Sequence, residues 1–418
     1  MAAMEERSFT EKIKSAGGAA FVVGGWVRDR IRGVPEHDRR DKDYVVTGLA
    51  EAAFCSLFPK AFKTGRAFPV YRLEISGARC EVALARSEAK SGLGYRGFTT
   101  AFSPATTVEQ DLYRRDTTIN SIALSLKTGK FIDPYGGIAD IEAGIIRATS
   151  HHFADDPVRA LRAARQSAEM GFSIEAGTLR MMAFCRAELA LEPGERLVAE
   201  LGKALAASKP SLFFRNLRTA GILGTAYPRI DALAGRPQPQ AYHPEGDAFE
   251  HTMLAVDKST QLTNRPEVRF AVLAHDLGKA LTPNDELPRH REHDRLGTTA
   301  LVGWNREMTL PGTWMKCARF AIAEHMRAPR IERPGAIAGF IARLEASPLG
   351  LDGIRTVILC DNKEIPDFLK RYDEYLRAFR SVSGAHAPAH LHGPEIGQWL
   401  RERRASAIAG LLRAQRMR

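Results

Sequence analysis

Apolar and polar positions change their period about a third of the way along the chain. An apolar run at Ala19–Val23 passes through Gly24-Gly25 into a short helical pattern at 27–31, and a second apolar run follows at 42–46. Further short strand signals lie at Val70–Ile75, 79–85 and 121–126, broken by Gly-rich turns such as 90–97. These predict a compact mixed sheet. From Pro157 the spacing becomes helical, first in VRALRAARQSAEMGF and then in TLRMMAFCRAELALE, with few β-branched runs. The expected fold class is therefore α+β, a mixed-sheet head followed by all-α segments, with a boundary near residue 150. The Pro-rich stretch 235–244 reads as an extended linker or domain-entry loop. The chain from Glu395 is helical and Arg-rich, and no internal repeat is visible. The organisation expected is 1–150, 151–240, 241–380 and 381–418.

Length and composition narrow the class. At 418 residues the chain has room for roughly two to four domains, and 44% apolar with 26% charged residues excludes collagen-like, low-complexity and wholly disordered chains. The net charge of +11 and a pI near 9.5 point to a polyanionic partner, with membrane headgroups and simple solubility as alternatives. Five scattered cysteines (Cys55, Cys80, Cys185, Cys317, Cys360) without a CxxC pair fit a reducing compartment, so the cytoplasm is expected. The first 25 residues lack a signal-peptide pattern, and no apolar run reaches about 18 residues, so membrane insertion is not expected.

Two constellations carry chemistry. In the first, Gly24-Gly25-x-Val27-Arg28-Asp29 precedes Asp41-Lys42-Asp43 at the entry to an apolar strand. Residues i and i+2 of a strand share a face, so Asp41 and Asp43 are placed to hold a divalent metal together. The glycines admit phosphate oxygens close to the backbone, and Arg28 supplies positive charge. The plainer alternative is a Gly turn beside an exposed acidic strand end, and the combined string favours phosphoryl transfer. Two Mg²⁺ ions held by these carboxylates would activate a 3′-hydroxyl and neutralise a triphosphate, with pyrophosphate leaving. Glu81 is a candidate third carboxylate, or simply an exposed strand residue.

The second constellation lies among crowded histidines. His243, His251, His275, His290, His293 and His325 are six of the twelve in the chain. His251, His275-Asp276 in AHDLGK and Asp361 in LCDNKE resemble an HD phosphohydrolase domain, in which His and Asp from separate helices bind a divalent metal. Imidazoles with carboxylates suit a borderline transition metal such as Ni²⁺ better than Mg²⁺, and a metal-bound water would hydrolyse phosphoesters. His290 and His293 read equally as substrate ligands or as members of a polar loop.

GGWVRD with DKDYVV resembles the signature of class II tRNA nucleotidyltransferases, the CCA-adding enzymes. Further strings match in order: Arg114-Arg115-Asp116-x-Thr118-Ile119-Asn120, then Asp133-Pro134-Tyr135-Gly136-Gly137, then Asp155-Asp156-x-x-Arg159-x-x-Arg162-x-x-Arg165. LARSEAKSGLGYRGFTT resembles the bacterial members, and FEHTM, HDLGKALTP and PRHREH look like the multifunctional type that carries an HD domain. The resemblance implies a nucleotidyltransferase head, a base-reading and RNA-binding neck, an HD domain and a basic tail. It implies tRNA, CTP and ATP as partners, allows a homodimer, and implies hydrolysis of phosphoesters such as 2′,3′-cyclic phosphates.

Gly25, Arg28, Arg115, Asp156, Arg159, Arg162 and Arg165 are then the nucleotide-binding set, with Asn120 ordering its loop. Asp156 and Arg159, at i and i+3, would accept from the amino group of C or A and donate to ring acceptors, disfavouring G and U. The competing reading of Asp156, before Pro157, is a helix N-cap. For Arg162 and Arg165 it is a solvated basic face. Two departures stand out: Asp155 where the family usually has Glu, and three extra residues between the glycines and the DxD. Partial CC-only or A-only addition, a poly(A) polymerase, and an HD phosphohydrolase with a non-catalytic RNA-binding head are the rival readings.

Overall fold

The computed structural model describes residues 4–64, 69–90, 92 and 98–416. The Gly-rich turn expected at 90–97, and with it the middle of LARSEAKSGLGYRGFTT, lies largely outside the described residues. The chain divides into two compact units, residues 1–200 with 212–226, and residues 201–211 with 227–418.

The first unit is built on the expected mixed sheet. Its strands are β1 (Ala19–Val23), β2 (Asp43–Thr47), β3 (Phe62–Thr64), β4 (Val70–Ile75) and β5 (Ala78–Leu84). A hairpin of β6 (Arg86–Lys90) and β7 (Phe98–Phe102) follows, and then β8 (Ala123–Ser125) and β9 (Phe131–Ile132). The main sheet runs β3-β4-β5-β2-β1-β8-β9, and β2 lies parallel to β5. Strand β4 alternates buried and open positions as a half-buried strand should, whereas β1, in the middle of the sheet, is buried along nearly its whole length.

Register places the candidate carboxylates. Val23 pairs with Asp43 at the end of the β1–β2 ladder, and Asp43 pairs with Glu81 on β5. Residues directly opposed in a ladder point to the same face, so Asp43 and Glu81 are lateral neighbours. Asp41 was expected inside the strand, but the strand starts at Asp43. Gly24 takes φ +73° and turns the chain into the helix Gly25–Ile31, so β1 has no residue left to pair with Lys42 or Asp41. Asp41 is positioned by the segment leading into β2, and not by strand alternation.

The helix Val158–Met170 packs an alanine- and leucine-rich face, including Ala160, Leu161, Ala164 and Ala168, into the first unit. Asp156 accepts a hydrogen bond from the Val158 amide at 3.1 Å, so it does cap this helix.

The second unit is helical, around a core that includes Phe340, Ile341, Ile358 and Leu369. The C-terminal helix Pro394–Arg416 belongs to it: Ile408 is fully buried and the Arg404 guanidinium lies 4.0 Å over the Phe379 ring. No helix among the described residues is long and apolar enough to cross a membrane.

Three helices end at candidate ligands. His275 follows Pro266–Ala274, His325 follows Gly312–Glu324, and Asp361 follows Gly350–Cys360. His251 sits in the first turn of Ala248–Ser259, and His293 opens His293–Met308. Gly278, just beyond the His275-Asp276 pair, permits the close approach: a Cβ there would lie 1.8 Å from the His293 carbonyl oxygen and 2.5 Å from the Gly297 nitrogen. Gly278→Ala should therefore cost about 1–3 kcal/mol or more by overpacking against backbone that cannot yield. The midpoint of urea unfolding measures this. An unchanged midpoint would mean the two segments can separate freely.

Candidate functional site

In the first unit the cleft is organised around Gly24. A side chain there would meet Asp43 Oδ2 at 3.8 Å and Arg115 Nη1 at 4.0 Å, so a carboxylate and a guanidinium converge where the backbone is bare. Asp43 is exposed at the first position of the interior strand β2, but the protein around it still desolvates it. That desolvation pushes its pKa up to about 6; Arg115 opposes the rise, while Glu81 and Asp41 add to it. A cation would relieve this carboxylate crowding, so the donor set fits a hard divalent ion.

The arginines of the site are held by buried acids. Asp111, fully buried, accepts from Arg115 Nη2 at 2.9 Å and Arg114 Nε at 3.1 Å. Burial would raise the Asp111 pKa, but the two guanidinia outweigh it and bring it down to about 2. Arg28, 2% exposed, donates Nε and Nη2 to Asp29 Oδ1 at 3.0 and 2.8 Å and Nη1 to Asn120 Oδ1 at 2.9 Å. Asn120 in turn donates to Asp116 Oδ1 at 3.3 Å. Asp116 Oδ2 accepts from Arg162 Nε at 2.8 Å and Gln166 Nε2 at 3.1 Å. Burial raises the Asp116 pKa, and Arg162 overcomes this and holds it well below the usual carboxylate range.

Further along the same helix, Arg165 donates to Glu200 Oε2 at 2.6 Å and also pairs with Glu169. Glu169 binds Arg40 at 2.6 Å, and the Arg40 Cδ would lie 2.7 Å from a Cβ on Gly25. Asp156 lies in extended conformation ahead of the helix Val158–Met170 and so does not share a helix face with Arg159 as expected, and each has another partner. Arg196 donates to both Asp156 oxygens at 3.1 and 2.9 Å, and Arg159 Nη1 donates to the His152 carbonyl at 2.6 Å. Asp155 Oδ2 accepts from His152 Nδ1 at 2.7 Å.

In the second unit His251, His275, Asp276 and Asp361 converge with donor atoms within 4.8 Å of one another, all four buried. His251 Nε2 lies 3.3 Å from Asp361 Oδ1 and 3.6 Å from Asp276 Oδ2. His275 Nε2 lies 3.2 Å from Asp276 Oδ2. Both Nε2 atoms are buried without a hydrogen-bond partner. Their Nδ1 atoms are engaged elsewhere, His251 with Glu245 Oε1 at 2.6 Å and His275 with the Val272 carbonyl at 2.7 Å, which turns each Nε2 towards the carboxylates.

Without a cation the cluster neutralises itself. Burial alone would lower His275, but Asp276 and Asp361 push it up to about 10, and both carboxylates sit well below their ordinary range. Orphaned nitrogens facing ionised carboxylates, with His275-Asp276 and Asp361 at two helix C-termini, form a donor set that fits a divalent metal.

His290 and His293 diverge. His290 bonds Thr282 Oγ1 at 2.9 Å and the Pro237 carbonyl at 3.0 Å, so it ties the loop together. His293 joins Asp276 and His325 in a second group of converging donors.

Comparison with known proteins then fixes the family. The poly A polymerase head domain family matches residues 20–147, and the family described as the probable RNA and SrmB-binding site of polymerase A matches 171–233. The multifunctional CCA protein of Methylococcus capsulatus is 40% identical over 401 residues, covering 93% of this chain and 87% of the relative. That of Stenotrophomonas maltophilia is 37% identical over 410 residues, covering 93% and 98%. The chain belongs to the multifunctional CCA protein family. Among solved structures of related fold, a CCA-adding enzyme with ATP superposes with TM-score 0.66 at 20% identity, covering 96% of this chain and 88% of that one. A tRNA nucleotidyltransferase with a primer tRNA and an ATP analogue gives TM-score 0.59 at 21% identity, covering 89% and 99%.

For this CCA-family chain, several site residues escaped the sequence reading. Asp111 stands three and four positions before Arg114 and Arg115, a helical spacing that signals an ion-pair anchor. Lys279, three residues after Asp276, reaches its Oδ2 at 2.6 Å by the same rule. Arg196, Glu200 and Glu245 left no comparable local signal.

Asp43 offers a test by pH. Its folded pKa of about 6 exceeds the ordinary 3.8, so the folded state holds more protons between those values and loses stability as pH rises through that window. Asp43→Asn removes the penalty. In divalent-free buffer the variant should melt above the parent at about pH 7.5, with a smaller gain at about pH 5. An equal gain at both would show that Asp43 is not desolvated.

Proposed function

We propose that the chain extends the 3′ end of tRNA with CCA from CTP and ATP, and that its second unit is a divalent-metal phosphohydrolase of the HD type. The Gly24 turn carries the first half of this reading, because it brings Asp43 and Arg115 to one bare stretch of backbone. The multifunctional CCA proteins at 40% and 37% identity support it. In this reading 1–150 is the head, 151–240 the base-reading neck, 241–380 the HD domain and 381–418 a basic tail.

Mg²⁺ held by Asp41 and Asp43 supplies charge neutralisation at the triphosphate and activation of the 3′-hydroxyl. The chain's residues do the positioning. Gly24 and Gly25 let phosphate oxygens approach the backbone. Arg115, anchored by Asp111 through Nε and Nη2, keeps Nη1 for the nucleotide. Arg28 acts from behind the site by fixing Asn120, and Arg162 and Arg165 hold the base-reading helix against the head through Asp116 and Glu200. In the HD centre His251, His275, Asp276 and Asp361 hold the ion, which supplies an activated water. Glu245 fixes the His251 tautomer.

The two activities should separate. Asp41→Ala with Asp43→Ala should abolish labelled CTP and ATP incorporation into a tRNA lacking its CCA end, while 2′,3′-cyclic phosphate hydrolysis continues. His275→Ala with Asp276→Ala should do the reverse. Incorporation surviving the first pair, or hydrolysis surviving the second, would overturn the corresponding half.

Asp156→Asn discriminates base reading from capping. Asparagine caps a helix about as well as aspartate, so a purely capping role leaves stability and selectivity unchanged. A base-reading role requires the charge and the acceptor-only carboxylate, so discrimination against UTP and GTP should weaken in the variant. We expect the second result. Unchanged selectivity across the four nucleotides would leave Asp156 as the cap and as the partner of Arg196.

A further inference from the structure

The ladders that carry Asp43 stop there on both sides. Val23 pairs with it from β1 and Glu81 from β5, and neither ladder reaches Lys42 or Asp41. Something other than the sheet holds the chain just ahead of the strand, and Lys42 shows what it is. Its Nζ lies 3.0 Å from Glu6 Oε1 and 4.8 Å from the centre of the Trp26 ring. The same Glu6 oxygen accepts from the Tyr44 hydroxyl at 2.6 Å. Tyr44 follows Asp43 in the strand and so points to the opposite face, and Lys42 is drawn to that face by the shared carboxylate.

Glu6 is itself fixed. It opens the helix Glu6–Ser15, whose Phe9 and Ile13 are fully buried and whose Phe9 ring meets Tyr44 edge-on at 5.3 Å. The Glu6 amide donates to Ser76 Oγ at 3.1 Å, and the Ser76 amide donates to the Met4 carbonyl at 2.8 Å, just beyond β4. The match to the poly A polymerase head domain begins at residue 20, so this helix lies ahead of everything that match covers.

An ion pair this open to water adds little to stability, since 31% of the Glu6 side chain and 28% of the Lys42 side chain remain exposed. Its value is directional. One oxygen takes both neighbours of Asp43 in sequence, and Asp41 is a single peptide beyond Lys42.

We propose that Glu6 is a positioning residue for the carboxylates of the head, clamping Lys42 and Tyr44 from behind so that Asp41 and Asp43 meet their divalent ions in a fixed geometry, a role that rests on reading those two aspartates as the metal-holding pair. Groups that orient a ligand without touching the ion change metal affinity by about 10- to 100-fold when they are removed. Charge alone predicts a different pattern. Removing a nearby negative charge weakens cation binding and removing a positive one strengthens it, so a through-space role gives Glu6→Gln and Lys42→Met opposite signs. The clamp gives both the same sign, and the two effects do not add, because either change releases the same link.

Mn²⁺ binding, followed by the EPR signal of the free ion, tests this in the full chain. Subtracting the isotherm of Asp41→Ala with Asp43→Ala isolates the ions held by the head. Glu6→Gln and Lys42→Met should each weaken that binding by about 10-fold or more, and the double variant should be no weaker than the weaker single one. The urea midpoint should stay close to the parent's. Weaker binding in Glu6→Gln with tighter binding in Lys42→Met would reduce the pair to bare charge and overturn the clamp, as would unchanged affinity in both. If Glu6→Gln does not fold, the sign of Lys42→Met decides alone. A parent without head-specific binding would overturn the metal reading of Asp41 and Asp43 and the clamp with it. Head binding weakened as expected, in a parent that incorporates neither CTP nor ATP, would overturn the proposed transfer and uphold the clamp.

Discussion

A charge removed from water must find its counter-charge or remain a site of unspent attraction. Both units are organised by that constraint, with opposite outcomes. In the first unit the buried acids Asp29, Asp111, Asp116 and Glu200 are matched by Arg28, Arg114, Arg115, Arg162 and Arg165. These pairs join the helix Gly25–Ile31, the 3₁₀ turn Thr118–Asn120 and the helix Val158–Met170 into one polar chain. Their contribution to net stability is modest, because desolvation offsets most of the attraction. What they supply is geometry, since each guanidinium can occupy only the place its acid dictates. Asp43 and Asp41 stand outside the matching, Glu81 pairs only with exposed Arg72 at 3.4 Å, and the crowding of these carboxylates is what a bound cation would relieve.

In the second unit the matching is deliberately incomplete. His275, His325 and Asp361 follow the last turns of three helices, where the terminal carbonyls lack intrahelical donors. The imidazole Nδ1 protons of His275 and His325 satisfy some of those carbonyls, and the same bond turns each Nε2 towards the centre. One local requirement, the capping of a helix end, thus prepares a ligand. Lys279 sits against the same Asp276 Oδ2 that faces His251 and His275, and Lys363 against the outer Oδ2 of Asp361; both limit the negative charge that the ring nitrogens must face.

The parts of this arrangement that were legible in sequence are those governed by short-range period. Strands β1, β4 and β5 announced themselves through apolar runs and alternation, and the change to helix after Pro157 through spacing alone. The His and Asp residues of the second centre were also found, because few structural roles require that spaced combination. Reading failed where a distant partner decides. Asp156 stands ahead of the helix that carries Arg159, and Arg196, forty positions from Asp156, supplies the carboxylate's partner. Arg28 looked like a free phosphate ligand, and burial against Asp29 and Asn120 gives it a bracing position. Asp41 was assigned to a strand whose ladder could not extend that far once Gly24 turned β1 away.

The internal pairing also changes what the net charge of +11 means. A buried Arg–Asp pair adds nothing to the field outside, so the surplus resides on cations such as Arg401, Arg403 and Arg413, exposed along the helix Pro394–Arg416. Exposed guanidinia act on a polyanion through counterion release, which is strong and indifferent to sequence. Guanidinia fixed by buried acids act through direction, which is weaker in range but selective. Exposed and acid-braced arginines in one chain therefore differ in reach and in direction. The distinction between them is burial, and nothing in the composition separates the two.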